Sequence, residues 1–280
     1  MKKVQCQDIA ERVGHALQQA NIEASEDLRC AYRTHADRES SPLAASILRD
    51  LLENAELASR HRLPICQDTG TAVVFLTLGQ DVQIQGGFIG DAIQEGVSRG
   101  YRDGFLRKSI TEDPVERTNT GDNTPAVIHT ELVAGDCLEI TVVPKGGGSE
   151  NASRLRMLTP AQGLEGFRDF LLETVRLGGP SACPPLVVGA CLGGNFETCA
   201  LYAKKTLLRP IGSRNPDHRL DRLEMEFLEE VNRLGIGPQG LGGDTTAFAV
   251  HLVFLPCHIA SLPAAVNINC HASRHRTIVF

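Results

Sequence analysis

Residues 126–143, AVIHTELVAGDCLEITVV, are the stretch on which the fold class turns. Two runs of alternating apolar and polar residues, 126–133 and 137–143, flank Ala134-Gly135-Asp136. A period of two marks strands with one buried face, and a short glycine-containing gap between them predicts a β-hairpin. Working outward, TAVVFLTLG at 71–79 reads as a strand and 86–101 as a helix. On the other side, 160–177, 195–208 and 219–234 read as helices and 185–189 as a buried strand. The C-terminal part alternates short strands with Gly- and Pro-containing turns. Residues 4–60 read as helices. One carries the stripe Ile9, Val13, Ala16, Leu17; another carries Leu43, Ile47, Leu51, Leu52, Ala55, Leu57 and Ala58. Ser40-Ser41-Pro42 supplies a cap followed by proline at the first helical position. The expected fold is α+β (mixed α/β): a helical N-terminal region, then mixed sheets with antiparallel hairpins flanked by helices. Residues 1–280 are taken as one catalytic domain, with about 1–60 as its helical part.

The chain has 280 residues, of which 42% are hydrophobic, enough for a substantial core. Its formal charge of −6 argues against nucleic acid as a partner, which needs a basic face. The start, MKKVQCQDIAERV, lacks the apolar run of a secretory signal. The most apolar region, 245–268, is broken by His251, Pro256, His258 and Pro263, so no membrane helix is expected. Nine scattered cysteines without a CxxC pair point away from a zinc finger and towards reduced thiols in a cytoplasmic protein.

Several polar, glycine-rich patches separate the apolar elements: 64–72, 113–126, 144–151, 182–194, 237–246 and 258–274. Loops at the ends of core elements are where sites are usually built. In PKGGGSEN (144–151), three glycines let backbone N–H groups approach an anion and Lys145 adds charge; a plain tight turn explains the same residues. Cys66, Cys183 and Cys270 all sit in loop-like sequence. Spacing alone does not make them a metal site, since most lone cysteines are small core residues.

Taken together, CQDTGTA from Cys66, RTNTGDNTPA from Arg117, KGGGSEN from Lys145, ACPP from Ala182, HIASLP from His258 and CHASR from Cys270 resemble the iron–sulfur fumarase and tartrate dehydratase family. The match is to the α subunit and runs in the family's order from about residue 40. The resemblance implies a [4Fe–4S] cluster held by Cys66, Cys183 and Cys270. Cys191, in GACLGG, competes with Cys183, which has the Cys-Pro-Pro context of the family. Cys257 is read as a bystander and Cys6, Cys30, Cys137 and Cys199 as structural. The resemblance also places Gln67 and Asp68 at the substrate, and Asp68, two residues from Cys66, is the best acidic candidate for the acid–base group. Arg107 would grip a substrate carboxylate, with Arg117 as the weaker choice. The amides of Gly146, Gly147 and Gly148 would bind the second carboxylate, and His258 would orient substrate. Lys145, Ser149, Asn119 and Asn123 would support them.

Three thiolates leave one iron open, and an open position is what makes a metal centre catalytic. Such an iron acts as a Lewis acid towards a departing hydroxide. Dehydrating malate also needs a base at the carbon next to a carboxylate. The activity that the resemblance implies is fumarate hydratase of the tricarboxylic acid cycle, acting on a small dicarboxylate. In single-chain relatives a second domain adds basic groups and a threonine implicated in proton abstraction, so a β subunit is expected, with α2β2 as the candidate assembly. L-tartrate dehydratase is the alternative within the family. A non-catalytic dicarboxylate-binding module and a zinc hydrolase are alternatives outside it.

Overall fold

The computed structural model describes residues 2–280. In chain order the elements are β1 (Lys2–Gln5), α1 (Cys6–Ile22), α2 (Glu26–Arg38), α3 (Pro42–His61), β2 (Thr71–Gly79), β3 (Val82–Gln85), α4 (Ile89–Asp103), β4 (Val127–Val133), β5 (Leu138–Lys145), α5 (Gly147–Asn151), β6 (Arg154–Leu158), α6 (Gly163–Gly178), β7 (Leu186–Gly193), α7 (Phe196–Lys205), α8 (His218–Arg233), β8 (Ala247–Leu255), β9 (Leu262–Asn269) and β10 (Arg276–Val279). The mixed α+β class expected from the sequence is present. The N-terminal helices form, preceded by the short β1, which pairs in parallel with β3. Ser41 caps α3 as expected, its hydroxyl accepting from Ala44 N at 3.3 Å. The stripe of α3 is shifted, however. Ala44, Leu48, Ala55 and Ala58 are buried, whereas Leu43 and Leu57 are exposed. Among the described residues, no helix is long and apolar enough to cross a membrane.

The chain forms two compact units. Among the described residues, the first comprises 2–24, Ala55–Gly147 and Arg274–Phe280; the second comprises Ser25–Asn54 and Gly148–Ser273. The first holds a sheet in the order β10-β5-β2-β4, whose core is Val74, Leu76, Ile140 and Val142 with Ile9, Val13, Ile93 and Val97 from the helices. The second holds a sheet in the order β6-β9-β7-β8, packed with Phe167, Phe170 and Leu171 of α6 and Phe227 and Val231 of α8.

The hairpin expected at 126–143 does not form. Both strands exist, but β2 lies between them, parallel to β4 and antiparallel to β5. The reason is burial. Residues 72–76 of β2 are all buried, so it takes the centre, while the half-exposed β4 takes the edge. The second unit repeats the pattern: β7 lies between β8, parallel to it, and β9, antiparallel to it. In both units the connection between the two outer strands crosses the C-terminal end of the central strand, and that strand ends in glycine. A Cβ at Gly79 would lie 2.3 Å from Gly135 O, and one at Gly193 would lie 2.0 Å from Leu255 O. Only glycine lets the crossing chain approach so closely. The opposite corner, where the central strand starts and its antiparallel neighbour ends, carries Cys66, Asp68 and Lys145 in the first unit and Cys183 and Cys270 in the second.

Candidate functional site

In the first unit, β2 begins opposite the end of β5, with Thr71 paired to Lys145. This register brings the Cys66–Gly70 loop against the glycine-rich stretch that starts at Lys145. Asp68 joins the two. Its Oδ1 accepts from Gly70 N at 2.9 Å and its Oδ2 from Gly147 N at 2.8 Å. The carboxylate is thereby fixed by two backbone amides, one in its own turn and one across the sheet corner. Cys66 is partly exposed, and its thiol donates to Gln67 Oε1 at 3.5 Å. Thr69, buried, donates from Oγ1 to Arg107 O at 2.8 Å. That bond ties the Arg107 backbone to the same loop while the Arg107 residue stays exposed. Cys66, Gln67, Asp68, Arg107, Gly146 and Gly147 are therefore gathered at one corner. Lys145 is buried there.

The loop is held from behind. Tyr101 O–H donates to Thr69 O at 2.7 Å and Gly70 O at 2.6 Å. Burial pushes the Tyr101 hydroxyl well up, against the opposing pull of Arg274, so it remains a donor. Asn123 Nδ2 donates to Gly70 O at 3.1 Å, and its Oδ1 accepts from Ser109 N at 2.6 Å. Arg274 Nη1 donates to Asp68 O at 2.9 Å. Asn119 lies outside this group: it is exposed and donates to Lys108 O. Arg117 is also exposed, at a positive φ of 64°.

In the second unit, Cys183 precedes β7 and Cys270 follows β9. The register pairs Val187 with Asn269, which puts both cysteines at one corner although 87 residues separate them in sequence (270 − 183). His271 N donates to Cys183 O at 3.1 Å, binding the two segments directly. Tyr32 secures the corner, its hydroxyl 2.9 Å from both His271 Nδ1 and His271 O. Burial, with a further push from Cys270, raises the Tyr32 hydroxyl well above its ordinary range. Patch 237–246 acts as a buttress: Gln239 donates to Pro184 O from its backbone at 2.8 Å and from Nε2 at 2.9 Å. Ser149 is buried and accepts through its carbonyl from Ser153 Oγ. The exposed Gly148 opens onto Ser181 O.

His258 is not brought to this corner. It lies in the turn between β8 and β9, and Gly194 N bonds Pro256 O in the same turn. That turn sits at the Gly193 end of β7, the far end from Cys183. Eight residues of strand separate the two ends, roughly 25 Å. His258 is exposed and its Nδ1 accepts from Ala260 N at 3.1 Å. Among residues not assigned a role from sequence, Tyr101, Arg274, Tyr32 and His271 carry most of the anchoring. Arg274 and His271 lie inside the quoted CHASR motif. Nothing in the local sequence marks Tyr101 or Tyr32 except their place on the apolar stripes of α4 and α2.

The donor set can be compared with the cluster that the resemblance implies. Cys66 and Cys270 are partly exposed and Cys183 is exposed, all three at loop positions. Cys191 and Cys199 are fully buried. A hydrogen bond from Cys199, together with burial, pushes the Cys191 thiol far up, which suits a core residue and not a ligand. The accessible, soft thiol set fits iron–sulfur ligation. Among the described residues, no three His, Cys, Asp or Glu side chains are already assembled as a metal site.

Comparison with known proteins follows the same lines. The family described as Fumarate hydratase (Fumerase) matches residues 10–279. A Methanocaldococcus jannaschii protein provisionally named L(+)-tartrate dehydratase subunit alpha is 39% identical over 272 residues, covering 95% of each chain. The L(+)-tartrate dehydratase subunit alpha of Escherichia coli O157:H7 is 33% identical over 250 residues, covering 87% of this chain and 81% of its own. The protein of the same name from Escherichia coli K12 is 32% identical over 250 residues, with the same coverage.

Proposed function

The chain belongs to the fumarate hydratase (Fumerase) family of hydro-lyases, and from that premise we propose that it is the α subunit of an enzyme that adds water to fumarate and removes it from (S)-malate. The observation that carries this reading is the Asp68 carboxylate, fixed by the amides of Gly70 and Gly147 two residues from Cys66. A base that must meet one carbon-bound proton gains from being held in one orientation.

Asp68 takes the proton from the carbon next to a substrate carboxylate during dehydration and returns it during hydration. Arg107 grips a carboxylate of the substrate through paired hydrogen bonds, as a planar guanidinium does well. Its backbone tie to Thr69 keeps it in step with the Asp68 loop. Gln67, exposed beside Cys66, hydrogen-bonds the substrate. Gly147 serves through Asp68, which already takes its amide, while Gly146 and Gly148 leave room for the second carboxylate. Cys66, Cys183 and Cys270 are the thiols that would hold a [4Fe–4S] cluster. When bound, its open iron supplies Lewis acidity towards the substrate hydroxyl. His258, at the far end of its own sheet, has no part in this corner of the second unit.

The partner is a β subunit, a reading supported by relatives that are named as α subunits. Those names also favour a second reading, dehydration of L(+)-tartrate, which the same Asp68 and Arg107 would serve. The test is turnover of fumarate, (S)-malate and L(+)-tartrate by the chain co-expressed with its β partner without oxygen. A kcat/KM for malate at least tenfold above that for tartrate supports the first reading, and the reverse supports the second. Turnover of none of the three would overturn both. Full turnover by the α chain alone would overturn the shared site.

A further inference from the structure

The carbonyls of three successive residues, Asp68, Thr69 and Gly70, are each gripped by a side chain from a distant part of the first unit. Arg274 holds the first, Tyr101 the second and third, and Asn123 also the third. All three gripping residues are buried. Arg274 is 3% exposed, and its Nη1 also donates to Asn21 Oδ1 at 3.0 Å. Its Nε is buried without a partner. Among the described residues it has no ion pair. Burying a cation without a carboxylate beside it is costly, so a fold that only needed a tether would use an uncharged donor. Asn21 extends the arrangement: its side chain donates to Leu17 O, and its own carbonyl accepts from Ile65 N, one residue before Cys66. The loop is thus tied on both sides of Cys66.

We propose that Arg274 is a positioning residue for the hydro-lyase site. With Tyr101 and Asn123 it clamps the peptide carbonyls of the Cys66–Gly70 loop, and it places a fixed positive charge behind a loop that must face a dianionic substrate. The proposal rests on the hydro-lyase reading for its catalytic consequence, but the clamp itself has a readout that needs no turnover. Once Arg274 is removed, Asp68 O loses its buried donor, and the turn that lets Gly70 N reach Asp68 Oδ1 is free to open.

The experiment uses the full chain with its β partner and three variants: Arg274→Met, Arg274→Lys and Tyr101→Phe. Amide hydrogen exchange at residues 66–70 is measured alongside kcat and KM for (S)-malate. Arg274→Met is expected to speed exchange at Gly70 about tenfold, the loss of roughly one charge-assisted hydrogen bond. It is expected to lower kcat about 100-fold with KM changed less than threefold, because misplacement and not substrate contact is lost. Arg274→Lys, which keeps the charge and one donor, should restore most of both. Tyr101→Phe should speed exchange in the same segment. Unchanged exchange at 66–70 in Arg274→Met would overturn the clamp. Exchange that rises uniformly across the protein, or a defect confined to KM, would overturn it too. If wild-type protein turns over no dicarboxylate, the hydro-lyase reading fails, while the exchange rates still decide the clamp.

Discussion

Replacing Gly70 with alanine is the sharpest available perturbation of the corner that joins the Asp68 loop to the glycine-rich stretch. Gly70 has a φ of +78°, and a Cβ there would lie 2.8 Å from backbone atoms of both Pro144 and Lys145. Gly121 supplies the control: its φ is +82°, with nothing within 4 Å. Both substitutions incur the left-handed backbone penalty, about 1–2 kcal/mol. Only Gly70→Ala adds an overpacking cost, about 1–3 kcal/mol, and backbone atoms cannot turn aside as a flexible side chain can. Gly121→Ala is therefore expected to cost about 1–2 kcal/mol and Gly70→Ala about 2–5 kcal/mol. Ordinary contact begins at 3.4 Å, so the two segments must part by about 0.6 Å (3.4 − 2.8). That movement stretches the 2.8 Å bond from Gly147 N to Asp68 towards the limit of a hydrogen bond. Turnover should fall about tenfold or more, on the scale where a 1 Å misplacement costs 100-fold. Urea unfolding and malate turnover, measured on both variants with the β partner present, give the comparison. If Gly70→Ala were as stable and active as Gly121→Ala, the corner would not be the rigid junction described.

Further outcomes follow from the same geometry. Asp68→Asn should lower kcat by 100-fold or more while the protein still folds, because the amide oxygen can still accept from Gly70 N; turnover and melting of the variant check this. Tyr32→Phe strips a buried hydroxyl from His271 Nδ1 and His271 O and should destabilise the protein by about 1–3 kcal/mol in urea titrations. Burial, helped by Arg209, lowers His251 from 6.5 to about 4. The unfolded chain then binds a proton that the folded chain refuses. Stability should be constant above about pH 7 and decline as pH falls from 6.5 towards 4, by roughly 3 kcal/mol in all. His251→Gln should flatten that decline in unfolding curves taken across the window.

The elements were largely legible in the sequence, because periodicity reports burial. The stripe Ile9, Val13, Ala16, Leu17 is buried as read, and TAVVFLTLG matches β2 from end to end. Strand pairing was not legible. The turn at Ala134-Gly135-Asp136 suits a hairpin locally, and nothing within those residues reveals that a more apolar strand, over 45 positions earlier, takes the place between them. The same limit applies to the site. Motifs placed Cys66, Asp68 and the glycines near one another only by resemblance; the physical cause is the register of β2 on β5. Cys183 and Cys270 meet because β7 pairs with β9, which spacing cannot express. His258 shows the converse. Its motif stands 12 residues before Cys270 (270 − 258), yet the intervening strand β9 carries it to the other end of the sheet. Anchors such as Tyr101 and Arg274 act through backbone carbonyls, and a carbonyl leaves no mark on the sequence pattern.

The most direct test of the account is the iron and acid-labile sulfide content of the α chain purified without oxygen together with its β partner. About four irons and four sulfides per α chain are predicted, lost in Cys183→Ser and retained in Cys191→Ser. Protein that takes up neither iron nor sulfide, even after anaerobic reconstitution, would contradict the assignment of Cys66, Cys183 and Cys270 and the hydro-lyase chemistry built on it.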